Sequence, residues 1–137
     1  MRLTQRLLAL SLLTLSCVFS FAAAKTLTEA DRRLLARYEA IRAELAMDNL
    51  EGARTAANDL PSNANAAVIA RADSLNTARM AFKKLSAEVI ALGAGVDGFV
   101  IVHCPMVEAD WLQTSREISN PYLGKKMPTC GKVKSSP

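Results

Sequence analysis

Residues 26–48, "TLTEADRRLLARYEAIRAELAMD", place Leu34, Tyr38, Ile41 and Leu45 at spacings of four, three and four. That spacing is the apolar stripe of one amphipathic helix. Thr28 followed by Asp31 forms a capping-box pattern with acidic residues in the first turn, which marks the helix start. Residues 49–60 repeat the stripe over a shorter length with Leu50, Ala53, Ala57 and Leu60; Gly52 weakens it and Pro61 stops it. Residues 62–93 carry Val68, Ala72, Leu75, Ala78, Phe82, Leu85, Val89 and Leu92, and read as one long helix ended by Gly93 and Gly95. Three amphipathic helices with short connections predict an antiparallel bundle, with helices about 20° from parallel and close approach along Ala-rich stripes.

The pattern changes at Gly98. Phe99-Val100-Ile101-Val102 is β-branched and follows a Gly-containing turn, so it predicts a strand. From Cys104 onward the chain is polar and turn-rich, with Pro105, Pro121, Gly124, Pro128 and Gly131. The fold class expected is therefore all-α: an antiparallel bundle of three to four helices with a small C-terminal β-hairpin or irregular tail. Arg32, Arg33, Arg37 and Arg42, with their acidic neighbours, read as the solvated face of the first helix.

The chain of 137 residues has room for one domain. Half its residues are hydrophobic and only 5% aromatic, so the core must rest on Leu, Ala, Val and Ile. A formal charge of +4, without a Lys/Arg-rich run, gives no footing for nucleic acid. Arg2 and Arg6 precede an uncharged apolar run, residues 7–21, of about 15 residues, too short to span a bilayer comfortably. Ala22-Ala23-Ala24 then supplies small residues before Lys25, the pattern of a secretory signal peptide cleaved after Ala24. The rival reading is lipoprotein processing at Cys17; there Thr14 stands where a large aliphatic residue is usual. Cleavage removes two positive charges and Cys17, leaving Cys104 and Cys130 in an oxidising compartment, periplasmic or secreted. No second long apolar segment follows, so no membrane insertion is expected after cleavage. The organisation expected is residues 1–24 signal peptide, 25–98 helical bundle, and 99–137 a Cys/Met-containing segment packed on the bundle as part of the same domain.

The candidate chemistry lies in "HCPMVEADWLQTSREISNPYLGKKMPTCGKV", residues 103–133. Cys104-Pro105-Met106 opens it and Met127-Pro128-Thr129-Cys130 closes it. On a strand, Cys104 and Met106 share one face and His103 takes the other. If residues 127–133 return antiparallel, the two Cys–Met pairs converge, and soft thiolate and thioether donors select Cu(I). The other reading is a structural disulfide. It closes a loop of about 27 residues and contributes roughly 3–4 kcal/mol in the chain-entropy model. Met106 and Met127 are also ordinary gap-fillers, and Met47 and Met80 read as core or surface filler. The spacing lacks the paired Cys-x-x-Cys of a zinc or thioredoxin site. His103 is either a half-exposed histidine or an extra ligand; as neighbours on a strand, His103 and Cys104 are no catalytic pair. Trp111 and Tyr122 read as a small satellite core over the bundle end, or as a lid that keeps a site dry. Asn120-Pro121-Tyr122-Leu123-Gly124 reads as a tight turn.

The motif "CPM…WLQ…I.NPYLG..M..CG.V", Cys104 to Val133, resembles the C-terminal signature of a small secreted bacterial domain of unknown function. That domain occurs alone or appended to periplasmic adaptor subunits of copper/silver efflux systems. Tyr38 to Leu60 and Ala78 to Leu92 are similar to the same family, so the resemblance covers most of the mature chain. It implies a helical bundle with an appended hairpin and an association with copper or other heavy metals. Cys104, Pro105 and Met106 match its first motif and Trp111 its central aromatic. Asn120, Pro121, Tyr122 and Gly124 match its turn, and Met127, Cys130 and Gly131 its closing motif. With one His and no Met-rich tract, the chain is no high-capacity metal store.

The function expected is Cu(I) or similar soft-metal binding in heavy-metal transport or resistance, with Cys104, Met106, Met127, Cys130 and His103 as candidate ligands. A periplasmic efflux adaptor or another copper-handling protein is the partner expected. The alternative is a non-catalytic interaction or scaffold domain with a structural Cys104–Cys130 disulfide and no metal. No acid/base constellation supports an enzyme. The exported protein should begin at Lys25, which intact-mass measurement checks; a lipid-modified Cys17 at the N-terminus would refute it.

Overall fold

The computed structural model describes residues 26–60 and 62–134. The expected signal peptide lies outside these residues. Helices α1 (Glu29–Ala46), α2 (Leu50–Asn58), α3 (Ala64–Ala70) and α4 (Leu75–Gly93) are followed by strands β1 (Val100–Cys104), β2 (Ala109–Gln113) and β3 (Lys132–Val133). A single turn of 3-10 helix, Gly124–Lys126, lies between β2 and β3. The strands form one antiparallel sheet in the order β2-β1-β3. The all-α expectation is thus corrected to a helix-rich fold carrying a small sheet. The hairpin is present, and a third strand too short to declare itself in sequence joins its open edge. Among the described residues, no helix is long and apolar enough to cross a membrane.

Local chemistry accounts for the helix starts. At α1 the Thr28 hydroxyl accepts from the Asp31 N–H at 3.1 Å, and the Asp31 carboxylate accepts from the Thr28 N–H at 2.9 Å. This reciprocal pair satisfies two donors that a helix leaves open. Asn49, Asn63 and Ser74 cap the other three helices through side-chain oxygens. The last of these corrects the single helix expected over 62–93. Ser74 has extended backbone angles (φ −147°, ψ 157°), and its hydroxyl accepts from the Thr77 N–H. A cap of that kind requires a break, so α3 stops at Ala70 and α4 begins at Leu75. The apolar phase runs on across the break, but Val68 is 43% exposed.

One core runs through helices and sheet. It includes Leu35, Tyr38, Ile41 and Leu45 of α1; Phe82, Leu85 and Val89 of α4; and Val102, Trp111 and Leu112 of the sheet. The satellite core expected around Trp111 and Tyr122 is instead continuous with the bundle. Tyr38 stacks on Phe82 with ring centroids 5.0 Å apart, Phe82 meets Tyr122 at 5.9 Å, and Tyr122 meets Trp111 edge-on at 5.9 Å. Arg42, expected on the solvated face, is only 7% exposed. It is held by Glu39 and donates to the Ser119 carbonyl at 2.8 Å, so it clamps the tail to α1. Arg79 of α4 does the same, donating to the Pro121 carbonyl at 2.8 Å, the Leu45 carbonyl at 2.9 Å and the Asp48 carboxylate.

The Tyr38 hydroxyl ties three elements together. It accepts from the Leu112 N–H of β2 at 3.1 Å and shares a hydrogen bond with Ser86 of α4 at 2.9 Å. Burial pushes this phenol well above its ordinary titration range, so it stays protonated at all physiological pH. Tyr38→Phe should keep the ring packing but leave the buried Leu112 N–H without its partner, destabilising the fold by about 1–3 kcal/mol. Urea unfolding checks this, and an unchanged midpoint would show that the hydroxyl does not tie the sheet to the helices.

Candidate functional site

β1 alternates as a half-buried strand must, and this sets the direction of each candidate side chain. Val102 and Cys104 are fully buried, and His103 between them faces the other way. Register pairs Cys104 with Ala109 of β2 and His103 with Lys132 of β3. Just before Lys132, Gly131 packs tightly: a Cβ there would lie 2.9 Å from Val102 and 3.0 Å from Trp111. The return of the chain therefore passes close against β1, and this brings Cys130 onto Cys104. Their sulfurs are 3.1 Å apart, and neither is in a disulfide.

Asn120 organises this return. It is fully buried, its side-chain oxygen accepts from the N–H groups of Tyr122 at 2.8 Å and Leu123 at 3.0 Å, and its amide donates to the Cys130 carbonyl at 2.6 Å. Its own N–H donates to the Pro128 carbonyl at 2.8 Å. The turn ends at Gly124, whose φ of +55° favours glycine and whose Cα faces the Asp48 carboxylate, leaving no room for a side chain. Trp111 donates its indole N–H to Gln113 at 2.8 Å, and the buried Gln113 amide donates to the carbonyls of Ser115 and Glu117. Trp111, Gln113, Asn120, Tyr122 and Gly124 thus hold the tail in shape.

The two sulfurs differ in environment. Burial alone pushes the Cys104 thiol up. The Cys130 S–H, the backbone N–H groups of Val107 and Met106 and the Asn120 amide outweigh burial and bring it below the ordinary thiol value. Cys130 moves the opposite way, chiefly because its proton is engaged by Cys104. The reduced pair is a buried sulfur biased toward the thiolate beside a half-exposed one biased toward the thiol. Cys104 and Cys130 are the two sequence candidates that the fold brings together. Met106 lies beyond the end of β1, in the turn that leads to β2, and is 62% exposed. Met127 is half-buried in the turn before Cys130.

His103 belongs to a second cluster on the opposite face. Its Nδ1 lies 2.7 Å from the Asp110 carboxylate of β2; an ionised carboxylate only accepts, so Nδ1–H donates. Lys134 donates to the other carboxylate oxygen. Burial would raise the Asp110 carboxyl, but the bonds from Lys134 and His103 hold it below the usual carboxylate range. His103, Asp110 and Lys134, with Lys83, Ala87 and Ile90 of α4, line an open cleft of about 440 Å³. Asp110 and Lys134 were not read from the sequence. The signal for Asp110 was the hairpin register, which sets it opposite His103. Among the described residues, no group of three or more His, Cys, Asp or Glu side chains is placed to hold a metal ion.

No family model matches this chain, and neither a curated protein nor a solved structure matches it.

The opposed shifts of the two thiols fix a pH dependence. Cys104, held low, contributes stability that is complete above the unfolded thiol value of about 8.5 and is lost as pH falls through its lower folded value. Cys130, held high, contributes stability that is present below that value and is lost as pH rises through its higher folded value. The stability gap between the reduced protein and its Cys104→Ser/Cys130→Ser double variant should therefore peak near about pH 8.5. Urea midpoints measured across pH test this, and a gap independent of pH would refute the opposed shifts of the two thiols.

Proposed function

We propose that this chain is a periplasmic or secreted domain that binds a soft metal ion, with Cu(I) the preferred species, and that Cys104 and Cys130 are the core of the site. One observation carries the reading: the return of the tail onto β1 sets the sulfurs of Cys104 and Cys130 3.1 Å apart, outside any disulfide. A thiolate is the form in which cysteine ligates metals. Two adjacent sulfurs, one biased toward the anion, suit a soft monovalent ion better than zinc, which takes four N, S or O ligands. Met106, exposed on the turn after Cys104, and Met127, half-buried in the turn before Cys130, are the thioethers assigned to complete the shell. His103, turned to the opposite face and held by Asp110, is set apart from the sulfur pair. The motif's resemblance to a domain found with copper and silver efflux adaptors supports the same assignment, with such an adaptor or another copper-handling protein as partner. The role is transport, sequestration or sensing, without catalysis.

The second reading is a scaffold domain fastened by a Cys104–Cys130 disulfide and free of metal. The 3.1 Å contact favours it, since only a short closure separates these sulfurs from the 2.05 Å or so of a covalent bond.

The reduced protein should take up about one Cu(I) per chain in competition with a Cu(I) chelator, and should bind Zn(II) far more weakly. Met106→Leu, nearly volume-matched, should weaken Cu(I) binding and leave the unfolding midpoint unchanged. Absence of Cu(I) binding above background, with the pair oxidised in the exported protein, would establish the scaffold reading.

A further inference from the structure

Cys104 and Cys130 are equally close to each other but not equally close to solvent. Cys104 is fully buried beneath β2 and the returning tail, whereas Cys130 is partly exposed and follows the exposed Pro128 and Thr129. We propose that the oxidised pair is an exchangeable disulfide that reacts with small free thiols at the Cys130 sulfur, with Cys104 as the leaving group. This goes beyond metal binding and does not depend on it.

Attack on a disulfide needs access to one sulfur and a stable thiolate on the other. Cys130 offers the access. Cys104, fully buried, is closed to an external thiol, so it is the sulfur that departs. In the first step the thiolate of a small thiol attacks Cys130 Sγ. A mixed disulfide forms there, the Cys104–Cys130 bond breaks, and Cys104 departs as a thiolate. In the second step another thiolate attacks the small-molecule sulfur of the mixed disulfide. A small-molecule disulfide forms and Cys130 is released, taking up a proton. Two thiols have then been oxidised, their two electrons reside on the protein pair, and the second proton goes to Cys104 or to solvent.

Glutathione is the probe, applied to the full exported chain after oxidation with glutathione disulfide. Acid quenching during reduction, then tryptic digestion and mass measurement, separates the two outcomes, because cleavage at Lys126 and Lys132 puts Cys130 on a peptide of its own. Glutathione should be found on the Cys130 peptide in excess over the Cys104 peptide by on the order of tenfold or more. In the single variants, Cys104→Ser should form the glutathione adduct readily under native conditions, and Cys130→Ser only in denaturant. Glutathione on Cys104, an even division, a pair that cannot be oxidised while folded, or exchange that occurs only in denaturant would each overturn the proposal. Cu(I) titration of the reduced protein is a separate measurement, so failure here and failure of the metal reading are distinguishable.

Discussion

The sheet is attached to the helices through the Tyr38 hydroxyl, and the geometry of the tail depends on that attachment. A helical bundle buries its apolar stripes among its own helices and has no obligatory place for a three-stranded sheet. Tyr38 makes one, by presenting to β2 a buried acceptor that its Leu112 N–H satisfies. The rings of Tyr38, Phe82, Tyr122 and Trp111 continue from that point into the sheet. Their contacts have the offset and edge-on geometries that aromatic quadrupoles favour. Tyr122 closes the arrangement, its hydroxyl donating to the Asp110 carbonyl at 2.8 Å and contacting Ser86. Helices and tail share one core, in which these rings are joined to Leu85 and Val89 of α4 and Val102 and Leu112 of the sheet.

This arrangement divides the tail's distinctive residues by role. Trp111, Gln113, Asn120, Tyr122, Gly124 and Gly131 are used up in packing and hydrogen bonding. Asn120 satisfies three backbone groups with one side chain, so its truncation would strand all three in a buried site. The residues with chemistry to spare are Cys104 and Cys130 on one side of β1 and His103 on the other. Their separation follows from strand alternation, and it gives a sheet of three short strands two distinct faces.

The helices were largely legible because their signals are local. The Thr28–Asp31 box and the Gly93–Gly95 ending each depend on neighbours within a turn or two. The α3–α4 break was missed because the apolar phase continues across it while the decisive signal, Ser74 as a cap, is a single polar residue. Leu35 rather than Leu34 takes the deeper place in α1, since neighbouring positions compete for one stripe and tertiary packing decides. Within the site, the convergence of Cys104 and Cys130 followed from reading an antiparallel return. The position of Met106 did not: β1 ends at Cys104, and the turn through Pro105 to Glu108, with Glu108 at φ 45°, breaks the alternation that would have set Met106 beside it. Arg42 and Arg79 were illegible for a different reason. Their partners are tail carbonyls 77 and 42 residues away, and no local pattern encodes them.

β3 contributes only two residue pairs, Val102 with Val133 and His103 with Lys132. So short a ladder cannot by itself order the return of the chain, given a backbone entropy cost of about 1–2 kcal/mol for each residue fixed. The position of Cys130 is set instead by Asn120, through the Cys130 and Pro128 carbonyls, and by Gly131 lying against Trp111 and Val102. The Asn120 amide also acts on the Cys104 sulfur. The side chain that fixes the Cys130 carbonyl thus also adds, after Cys130 and the Val107 and Met106 N–H groups, to the lowering of the Cys104 thiol. A ligand or a covalent bond that joins the sulfurs meets a pair already in contact, so little ordering remains to oppose it. A shift of residues 128–131 away from Asn120 would lengthen the sulfur contact. Because Cys130 is the largest of the groups that lower the Cys104 thiol, the same shift would also weaken that lowering, so geometry and electrostatics at this site change together.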